Sequence, residues 1–236
     1  MTSKKILVYT SYDDNYSYIG DETSANKQSY AKIHNYDFLC KRTEFVRGIN
    51  ISWDKIFTIR ELLSTCDYEY ILWTDADAFI VNISTKIESL LDETALASCH
   101  LRCCINSPDD PNAKLNDGIE KILEKPVNPF LWVSADSNGP CLGSFLIKKG
   151  QKSIDFLSYL ISKTQFYQDM NCWWDQRAFH YGLHKNEISS KGINILRQNA
   201  MNTFWNNYTA GDFIMHLPAT LPHDRIRFFN QFNPFK

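Results

Sequence analysis

Short apolar runs and helical spacings of apolar residues alternate along the first hundred residues of the chain. Residues 5–12, 36–40 and 68–73 are rich in β-branched and aromatic residues, which predicts three strands, the first of them buried. Between them, residues 23–34 are compatible with a helix, and apolar positions after the potential N-cap Ser52 recur at helical spacing. This alternation predicts an α/β domain with a mainly parallel sheet.

The second half of the chain has a less regular pattern. Residues 106–129 contain four prolines and several Asp and Asn residues, so we expect a loop with one short helix near residues 118–124. Regular structure resumes with strands at residues 143–148 and 212–217 and with helices at residues 153–163 and 174–184. The sequence contains no internal repeat, so we predict one domain over residues 1–236.

Charge and composition limit the classes of partner. The 236 residues include 25 Lys and Arg against 27 Asp and Glu, a net charge of −2, so we expect no nucleic-acid partner. This net charge is still compatible with binding of small phosphorylated ligands, because such ligands need only a local charge or a metal.

The chain shows no segment typical of membrane insertion or export. No run approaches 18 apolar residues, and the first strand follows the N-terminus directly, so we expect neither a membrane span nor a signal peptide. The seven cysteines are odd in number and lack zinc-ribbon spacing, which favours reduced thiols in a cytosol. We therefore expect a cytoplasmic location.

Two aspartates follow the third predicted strand. In an extended backbone, residues two apart project to the same side, so the carboxylates of Asp75 and Asp77 can converge on one cation while Ala76 packs the other way. Bare carboxylates at the end of a buried strand are costly unless a cation or a donor compensates them. Such oxygen ligands suit Mg²⁺ or Mn²⁺ that also binds substrate phosphates, and Asp75 and Ala76 are candidates for contact with that substrate.

A phosphatase of the haloacid dehalogenase type is the alternative for this motif. Such enzymes place Asp-x-Asp after the first strand, with Thr or Val two residues further on. Here the motif follows the third strand and Phe79 occupies that position, so the phosphatase interpretation is weaker.

Further polar residues, at strand ends and on helices, are candidates for binding a nucleotide or another phosphorylated ligand. Ligands bind beyond the carboxyl ends of strands in open α/β sheets, where Thr10 and Ser11 can hydrogen-bond a nucleobase and Tyr12 can stack on it; an ordinary turn is the alternative. Lys27 and Lys55 are candidates for contact with a diphosphate, and solvated helix lysines are the alternative for both.

The segment around Asp75 and Asp77 resembles glycosyltransferase family 34, which includes fungal Golgi galactosyl- and mannosyltransferases and plant xyloglucan xylosyltransferases. The segments that follow the family's motifs, in the family's order, are residues 26–36, 53–55, 73–82, 143–148, 174–176 and 211–216. They correspond to Asn-Lys-x-x-Tyr-Ala, Trp-x-Lys, the Asp-x-Asp region, Gly-Ser-Phe-Leu-Ile-Arg, an Asp-Gln helix start and a late His strand.

The resemblance implies a fold and a reaction. It implies a single GT-A domain, a Rossmann-like nucleotide-diphospho-sugar transferase with a mixed, mainly parallel sheet flanked by helices. Residues 1–100 would form the nucleotide-binding half and residues 101–236 the acceptor-binding half. The implied reaction is a retaining transfer of a hexose or pentose from a nucleotide sugar, UDP-linked by family habit with a GDP-sugar as alternative, to a glycan hydroxyl. The missing membrane anchor and stem suggest a bacterial or viral version.

The resemblance also implies roles for individual residues. His216 would complete the metal ligands with Asp75 and Asp77, and its imidazole tilts the preference from Mg²⁺ toward Mn²⁺. Asp175 and Gln176 would lie near the anomeric carbon as catalytic residues, where the alternative for Asp175 is a helix N-terminal acid.

Three residues near the predicted strand at 143–148 are candidates for donor binding. Gly143 and Ser144 match the family's Gly-Ser pair, and Asp136 is a candidate for the hydroxyls of the donor sugar, with a turn acid as its alternative.

The chain also departs from the family pattern. Cys141 stands where the family has Asn before its glycine, and Ala219 stands where a glycine is expected after His216. Both changes bear on the fit of donor and acceptor. A carbohydrate-binding domain without turnover and a sugar nucleotidyltransferase remain alternatives, although the latter's glycine-rich basic loop is not present after the first strand.

Two further histidines and three tryptophans could in principle bind zinc or stack on a sugar, but a packing or surface role is the favoured interpretation for both groups. His180 and His184 are four residues apart on a predicted helix, but without an acidic partner we read them as packing or surface residues. Trp173, Trp174 and Trp205 could form a sugar platform, although Trp is mostly buried mass.

Overall fold

The structure is a computed structural model, and it describes residues 5–43, 49–102, 118–167 and 174–236. Within these ranges the chain forms ten β-strands: β1 (Ile6–Tyr12), β2 (Asp37–Arg42), β3 (Tyr70–Thr74), β4 (Ala78–Ile80), β5 (Ser98–Leu101), β6 (Ile119–Ile122), β7 (Leu131–Asp136), β8 (Gly139–Lys148), β9 (Ile193–Leu196) and β10 (Ile214–His216). The same ranges contain six α-helices: α1 (Ser17–His34), α2 (Asp54–Thr65), α3 (Gln151–Ser162), α4 (Thr164–Tyr167), α5 (Trp174–His184) and α6 (Pro222–Phe232).

A six-stranded sheet in the order β2-β1-β3-β8-β7-β9 runs through the centre of the described structure. Strand β1 pairs in parallel with β2 and β3, and β7 pairs in parallel with β9. Strand β8 is antiparallel to both β3 and β7. The predicted α/β class with a mixed, mainly parallel sheet is confirmed.

The central strand β1 is buried on both faces, as its continuous apolar run predicts. Leu7 and Tyr9 belong to one hydrophobic core together with Ile56 of α2. Val8 belongs to a second core together with Tyr30 of α1. Burial of each large apolar side chain contributes about 1.5–3 kcal/mol, so helices on both faces fix the strand.

The helix predicted near residues 118–124 is wrong, because strand β6 lies there. Ile119 and Ile122 are three residues apart, which suggests a helical period, but β6 pairs antiparallel with β5 and places Ile119 opposite Leu101. Pairing with a distant segment overrides the local pattern. Residues 106–117 of the predicted loop lie outside the described residues.

The start of α2 also differs from the prediction. The helix begins at Asp54, after a 3₁₀ turn over Ile51–Trp53. Asn50, not Ser52, caps this turn, since its side chain accepts a hydrogen bond from the Ser52 amide at 3.0 Å.

The chain that leaves β3 turns directly into β4, and this turn places the residues of the site. The extended backbone predicted for Asp75 and Asp77 is wrong, because residues 75–77 lie in a turn between the two strands, where the Ala78 amide donates to the Asp75 carbonyl at 3.1 Å. Strand β4 pairs antiparallel with β10 in a register that sets His216 opposite Ala78. The Leu217 amide donates to the Asp77 carbonyl at 3.0 Å. The pairing therefore brings the late histidine beside the two aspartates.

Helix α6 packs beside this turn, and the patterns above do not predict it. Pro222 at its first position suits a helix start. Phe228 and Phe229 share a core with Ile19 of α1 and Phe79 of β4. The helix is therefore anchored next to the β3–β4 turn.

Candidate functional site

Asp75, Asp77 and His216 form a cluster with the geometry of a metal site. Each residue offers one ligand atom, and these atoms lie within 4.8 Å of one another. The Nε2 atom of His216 is 3.4 Å from Asp77 Oδ1 and 3.8 Å from Asp75 Oδ2. Two carboxylates and one imidazole are a donor set that suits Mn²⁺ and related divalent ions. The residues therefore fit the ion that the sequence predicts.

The imidazole of His216 is held in one orientation. Its Nδ1 atom is 2.7 Å from Asn202 Oδ1, and because a carbonyl oxygen can only accept, Nδ1 carries the proton and donates. Nε2 then keeps its lone pair toward the carboxylates whenever the ring is neutral. A partner of this kind fixes the tautomer of a metal-binding histidine.

Gly143 of β8 makes room for the His216 ring. A Cβ atom at this position would lie 2.2 Å from His216 Cε1 and 2.8 Å from Nδ1. The Gly143 carbonyl also accepts the Asp75 amide at 2.7 Å. A side chain at residue 143 would therefore displace the histidine from the cluster.

The carboxylate of Asp77 and the ring of His216 stabilise each other's charged forms. Burial opposes the charged ring, but the hydrogen bond and charge of Asp77 raise the pKa of His216 well above its usual range. Burial likewise raises the pKa of Asp77, but His216 and Arg225 outweigh it and lower that pKa. A proton thus holds the pair together in the ion-free protein, and a divalent cation can replace it.

Asp75 is oriented by donors on one of its two oxygens. Trp73 Nε1 donates to Asp75 Oδ1 at 3.0 Å, and Lys55 Nζ lies 3.3 Å from the same atom. The other oxygen, Oδ2, faces His216. Asp75 therefore presents a single free oxygen to the cluster.

Lys55 connects Asp75 to the predicted catalytic residue Asp175. Its Nζ is 3.1 Å from Asp175 Oδ2, and both side chains are almost fully buried. Burial lowers the pKa of Lys55, but Asp175 and Asp75 outweigh it and raise that pKa. Burial raises the pKa of Asp175, and Lys55 opposes that shift. An ion pair thus joins α2 to α5 beside the metal cluster.

The cluster opens into a cavity of about 500 Å³. Eleven of the predicted site residues line it: Ser11, Tyr12, Lys55, Asp75, Ala76, Asp77, Asp136, Gly143, Asp175, Gln176 and His216. The Gln176 side-chain oxygen accepts the Leu142 amide at 3.3 Å, which holds the start of α5 against β8.

The other predicted donor-binding residues, Thr10, Lys27 and Ser144, lie outside the cavity lining and are fully buried. Lys27 Nζ donates to Thr10 Oγ1 at 3.0 Å and to the Asp75 carbonyl at 2.8 Å. Burial lowers the pKa of Lys27 to about 7, against the raising effect of Asp75 and Asp77. Thr10 and Lys27 thus support the backbone of Asp75 from behind.

Asn202 and Arg225 belong to the site, and the sequence patterns did not single them out. Asn202 contacts His216, and its amide nitrogen is 3.2 Å from Asp136 Oδ2. Arg225 Nη2 lies 3.0 Å from Asp77 Oδ2. Neither residue stands in a motif of regular spacing, and only the tertiary fold brings them to the aspartates.

The histidine and tryptophan side chains considered for zinc or sugar binding differ in their burial. His180 is buried and contacts the carbonyls of Pro140 and Arg102, as a packing residue does. Trp174 lines the cavity. Trp205 is 45% exposed and stacks on Phe228. Trp173 lies outside the described residues.

Comparisons with protein sequences give one family match and two yeast relatives. The sequence profile of the galactosyl transferase GMA12/MNN10 family matches residues 2–224. A probable alpha-1,2-galactosyltransferase of Schizosaccharomyces pombe is 26% identical over 211 residues, which cover 83% of this chain and 61% of the relative. An uncharacterized alpha-1,2-galactosyltransferase of the same organism is 24% identical over 220 residues with the same coverages. The chain thus spans less than two thirds of the length of these relatives.

Two solved structures share the fold at low sequence identity. A glycosyltransferase involved in the glycosylation of the major capsid of PBCV-1 superposes with a TM-score of 0.67 at 14% identity, over 96% of this chain and 99% of the other. The galactosyltransferase LgtC, solved with donor and acceptor sugar analogs, gives a TM-score of 0.53 at 11% identity, over 98% and 97% of the two chains.

A helix that crosses a bilayer needs about 20 consecutive, predominantly apolar residues. None of the helices in the described ranges is both long enough and apolar enough to cross a membrane.

Proposed function

Because the chain belongs to the galactosyl transferase GMA12/MNN10 family and has the GT-A fold of its structural neighbours, we propose that it is a metal-dependent retaining glycosyltransferase. Both the resemblance to glycosyltransferase family 34 and the expected GT-A fold are confirmed. In the proposed reaction, a hexose or pentose moves from a nucleotide-diphosphate sugar to a hydroxyl of a glycan acceptor. A UDP-sugar is favoured as donor over a GDP-sugar.

One observation supports this proposal most strongly: Asp75, Asp77 and His216 converge at the wall of a cavity. Expulsion of a nucleoside diphosphate leaves negative charge on the departing oxygens. When bound, a divalent metal supplies a Lewis acid for those oxygens, worth several kcal/mol in the transition state. Asp75 Oδ2, Asp77 Oδ1 and His216 Nε2 are the atoms that would hold it, with Mn²⁺ favoured over Mg²⁺.

We assign two residues at the start of α5 to the reaction at the sugar. Asp175 and Gln176 line the cavity. In a retaining transfer, Asp175 either attacks the sugar from the face opposite the leaving group or orients the acceptor hydroxyl, and Gln176 stabilises the sugar cation with its carbonyl. Burial raises the pKa of Asp175, and the ion pair with Lys55 acts against that shift by favouring the carboxylate.

The nucleotide and the donor sugar have separate candidate contacts. Ser11 and Tyr12, at the carboxyl end of β1, line the cavity and can bind the base. Asp136 also lines it; its Oδ1 accepts the Asn138 backbone amide at 2.7 Å and its Oδ2 accepts the Asn202 side-chain amide at 3.2 Å. A carboxylate has about four lone-pair sites, so each oxygen can accept one more hydrogen bond from a sugar hydroxyl. These assignments divide the cavity between a nucleotide end and a sugar end.

Isothermal titration calorimetry tests the nucleotide and the metal together. UDP, GDP and their sugars are titrated with and without Mn²⁺ into the unmodified chain, D75N and the surface control D67N. Asp67 is suited as a control because its side chain is 94% exposed. We expect Mn²⁺-dependent binding that D75N abolishes and D67N retains. Absence of metal-dependent nucleotide binding at millimolar protein rejects the enzyme interpretation.

Product analysis separates transfer from the other chemistries. With a donor labelled in the sugar, a transferase moves the label to a glycan and releases nucleoside diphosphate. A sugar nucleotidyltransferase instead incorporates label from the nucleotide, and a carbohydrate-binding domain produces no labelled product while D75N and D77N still bind glycan.

A further inference from the structure

Arg225 is a buried cation at the wall of the cavity, and the family match does not include it. The match ends at residue 224. Arg225 lies in the second turn of α6, its side chain is only 8% exposed, and the residue lines the cavity. A buried guanidinium at a ligand cavity costs desolvation unless it has partners there, so its contacts decide what it does.

The guanidinium is fixed by three polar contacts and by the Tyr16 ring, whose centroid lies 5.1 Å from Arg225 Cζ. Nε donates to the Leu217 carbonyl at 3.2 Å, Nη1 donates to the Tyr18 hydroxyl at 2.7 Å, and Nη2 lies 3.0 Å from Asp77 Oδ2. Arginine has five N–H donors in a rigid fork. Three of them are thus assigned to partners within the described residues, and the fork retains capacity for a ligand in the cavity.

The position of Asp77 makes Arg225 a neighbour of any phosphate bound at the cluster. Asp77 Oδ1 faces His216 and Oδ2 faces Arg225, so one carboxylate separates the candidate metal position from the guanidinium. A small divalent ion binds oxygen ligands at about 2.0–2.2 Å. A diphosphate on such an ion therefore lies within reach of an arginine that touches the same carboxylate.

The carboxylates around each side chain distinguish Arg225 from Lys55, which also lines the cavity. Lys55 and Arg225 are the lysine and arginine side chains among the described residues that line it. Lys55 is shared by two carboxylates, Asp75 and Asp175. Arg225 has one carboxylate partner, Asp77, which is shared with His216. Arg225 is therefore the less neutralised cation, and its planar fork suits phosphate oxygens.

We propose that Arg225 binds the diphosphate of the nucleotide donor, an assignment that rests on the proposed function. It gives α6 a direct part in donor binding. The fork faces the same phosphate oxygens that the ion on Asp75, Asp77 and His216 would hold.

The test compares a nucleoside diphosphate with its nucleoside. UDP and uridine, or GDP and guanosine if those bind better, are titrated calorimetrically with Mn²⁺ into the unmodified chain, R225Q, R225K and R227Q. Arg227 is the matched control, since it lies on the same helix, pairs with Asp224 and is 64% exposed. We expect R225Q to weaken diphosphate binding tenfold or more and to change nucleoside binding less than twofold, with R225K intermediate and R227Q unchanged.

Two results overturn the assignment while the proposed function stands. One is a metal-dependent diphosphate affinity that R225Q and R225K leave unchanged. The other is an equal loss for the nucleoside and the diphosphate, which indicates a role in packing alone. Should R225Q fail to fold, as melting temperature and circular dichroism would show, R225K and Y18F decide, because both keep a cation at residue 225 while altering its geometry. If the unmodified chain binds no nucleotide, the proposed function fails and this assignment fails with it.

Discussion

The two aspartates of one motif, two residues apart, have different electrostatic surroundings. The side chain of Asp75 is 31% exposed, and its basic partner, Lys55, is shared with Asp175. The side chain of Asp77 is 9% exposed and lies between His216 and Arg225. Asp75 is therefore linked through Lys55 to the proposed catalytic residue Asp175, and Asp77 contacts the Arg225 that we propose binds the diphosphate. The two aspartates are the same residue type, but their removal takes a carboxylate partner from different cations.

Removal of the Asp77 carboxylate gives the largest expected effect. D77A leaves Arg225 and His216 buried without their shared anion, and breaking a buried pair in this way costs about 3–5 kcal/mol. D75A leaves Lys55 paired with Asp175, so we expect a loss of about 1 kcal/mol, in the range of a partly exposed pair. Urea unfolding of the ion-free proteins measures both free energies. Equal losses would remove the asymmetry between the two carboxylates.

A methyl group at residue 143 tests the space behind His216. G143A places a Cβ 2.2 Å from His216 Cε1, so the ring must move, and overpacking of this kind costs about 1–3 kcal/mol. We expect Mn²⁺ binding, measured calorimetrically, to weaken at least tenfold. G150A is the matched control, because no atom lies within 4 Å of a Cβ there, although its φ of 159° makes a small cost expected. Unchanged Mn²⁺ affinity in G143A would exclude His216 as a ligand.

The raised pKa of His216 predicts opposite pH trends with and without the ion. In the ion-free protein, the charged ring stabilises the fold fully below the ordinary pKa of 6.5, and this contribution is lost as pH rises through the higher folded pKa. The lowered pKa of Asp77 adds stability that is present above its ordinary value of 3.8 and is lost as pH falls through the folded pKa.

Metal binding requires the neutral ring, so its pH trend is reversed. Below the folded pKa of His216, Mn²⁺ affinity is expected to rise about tenfold for each pH unit. Calorimetric titrations across that range, with H216Q as the variant that removes the dependence, measure the slope. A flat profile in the unmodified chain contradicts competition between the proton and the ion.

The smallest expected effect concerns the loop between His216 and α6. Ala219 has a φ of 53°, a left-handed conformation that costs an ordinary residue about 1–2 kcal/mol. Glycine removes that cost, but it makes the unfolded chain more flexible, and this entropy cancels about 0.5–1 kcal/mol of the gain in stability. A219G is therefore expected to raise the free energy of unfolding by up to about 1 kcal/mol. A loss of stability in thermal or urea unfolding would show that the Ala219 methyl packs usefully at the cavity.

Local patterns were sufficient for the parts of the fold that are defined by short-range periodicity. The apolar runs identified β1 and β3, and helical spacing identified α5 with the bounds that the structure has. Strand β6 was missed because its pairing with β5, not its own spacing, decides its conformation. Helix α6 has no counterpart in the predicted elements. Where an element depends on a distant partner, the local pattern is insufficient.

The same distinction applies to the site. The spacing of Asp75 and Asp77 after a strand predicted their convergence, although a turn and not extended backbone produces it, and resemblance added His216. Asn202 and Arg225 could not be found in this way, because nothing in their local sequence indicates which carboxylate or imidazole they contact. The asymmetry between the two aspartates is therefore a property of the tertiary structure alone.

The pairing of β4 with β10 makes the cluster sensitive to strand alignment. Each strand has three residues, and successive side chains point to opposite faces, so a shift by a single position would turn His216 away from the aspartates. A bound cation would stabilise only the register that places His216 beside the two aspartates. Metal would then act during folding as a clamp that selects between alternative pairings of two short segments contributed by distant parts of the chain.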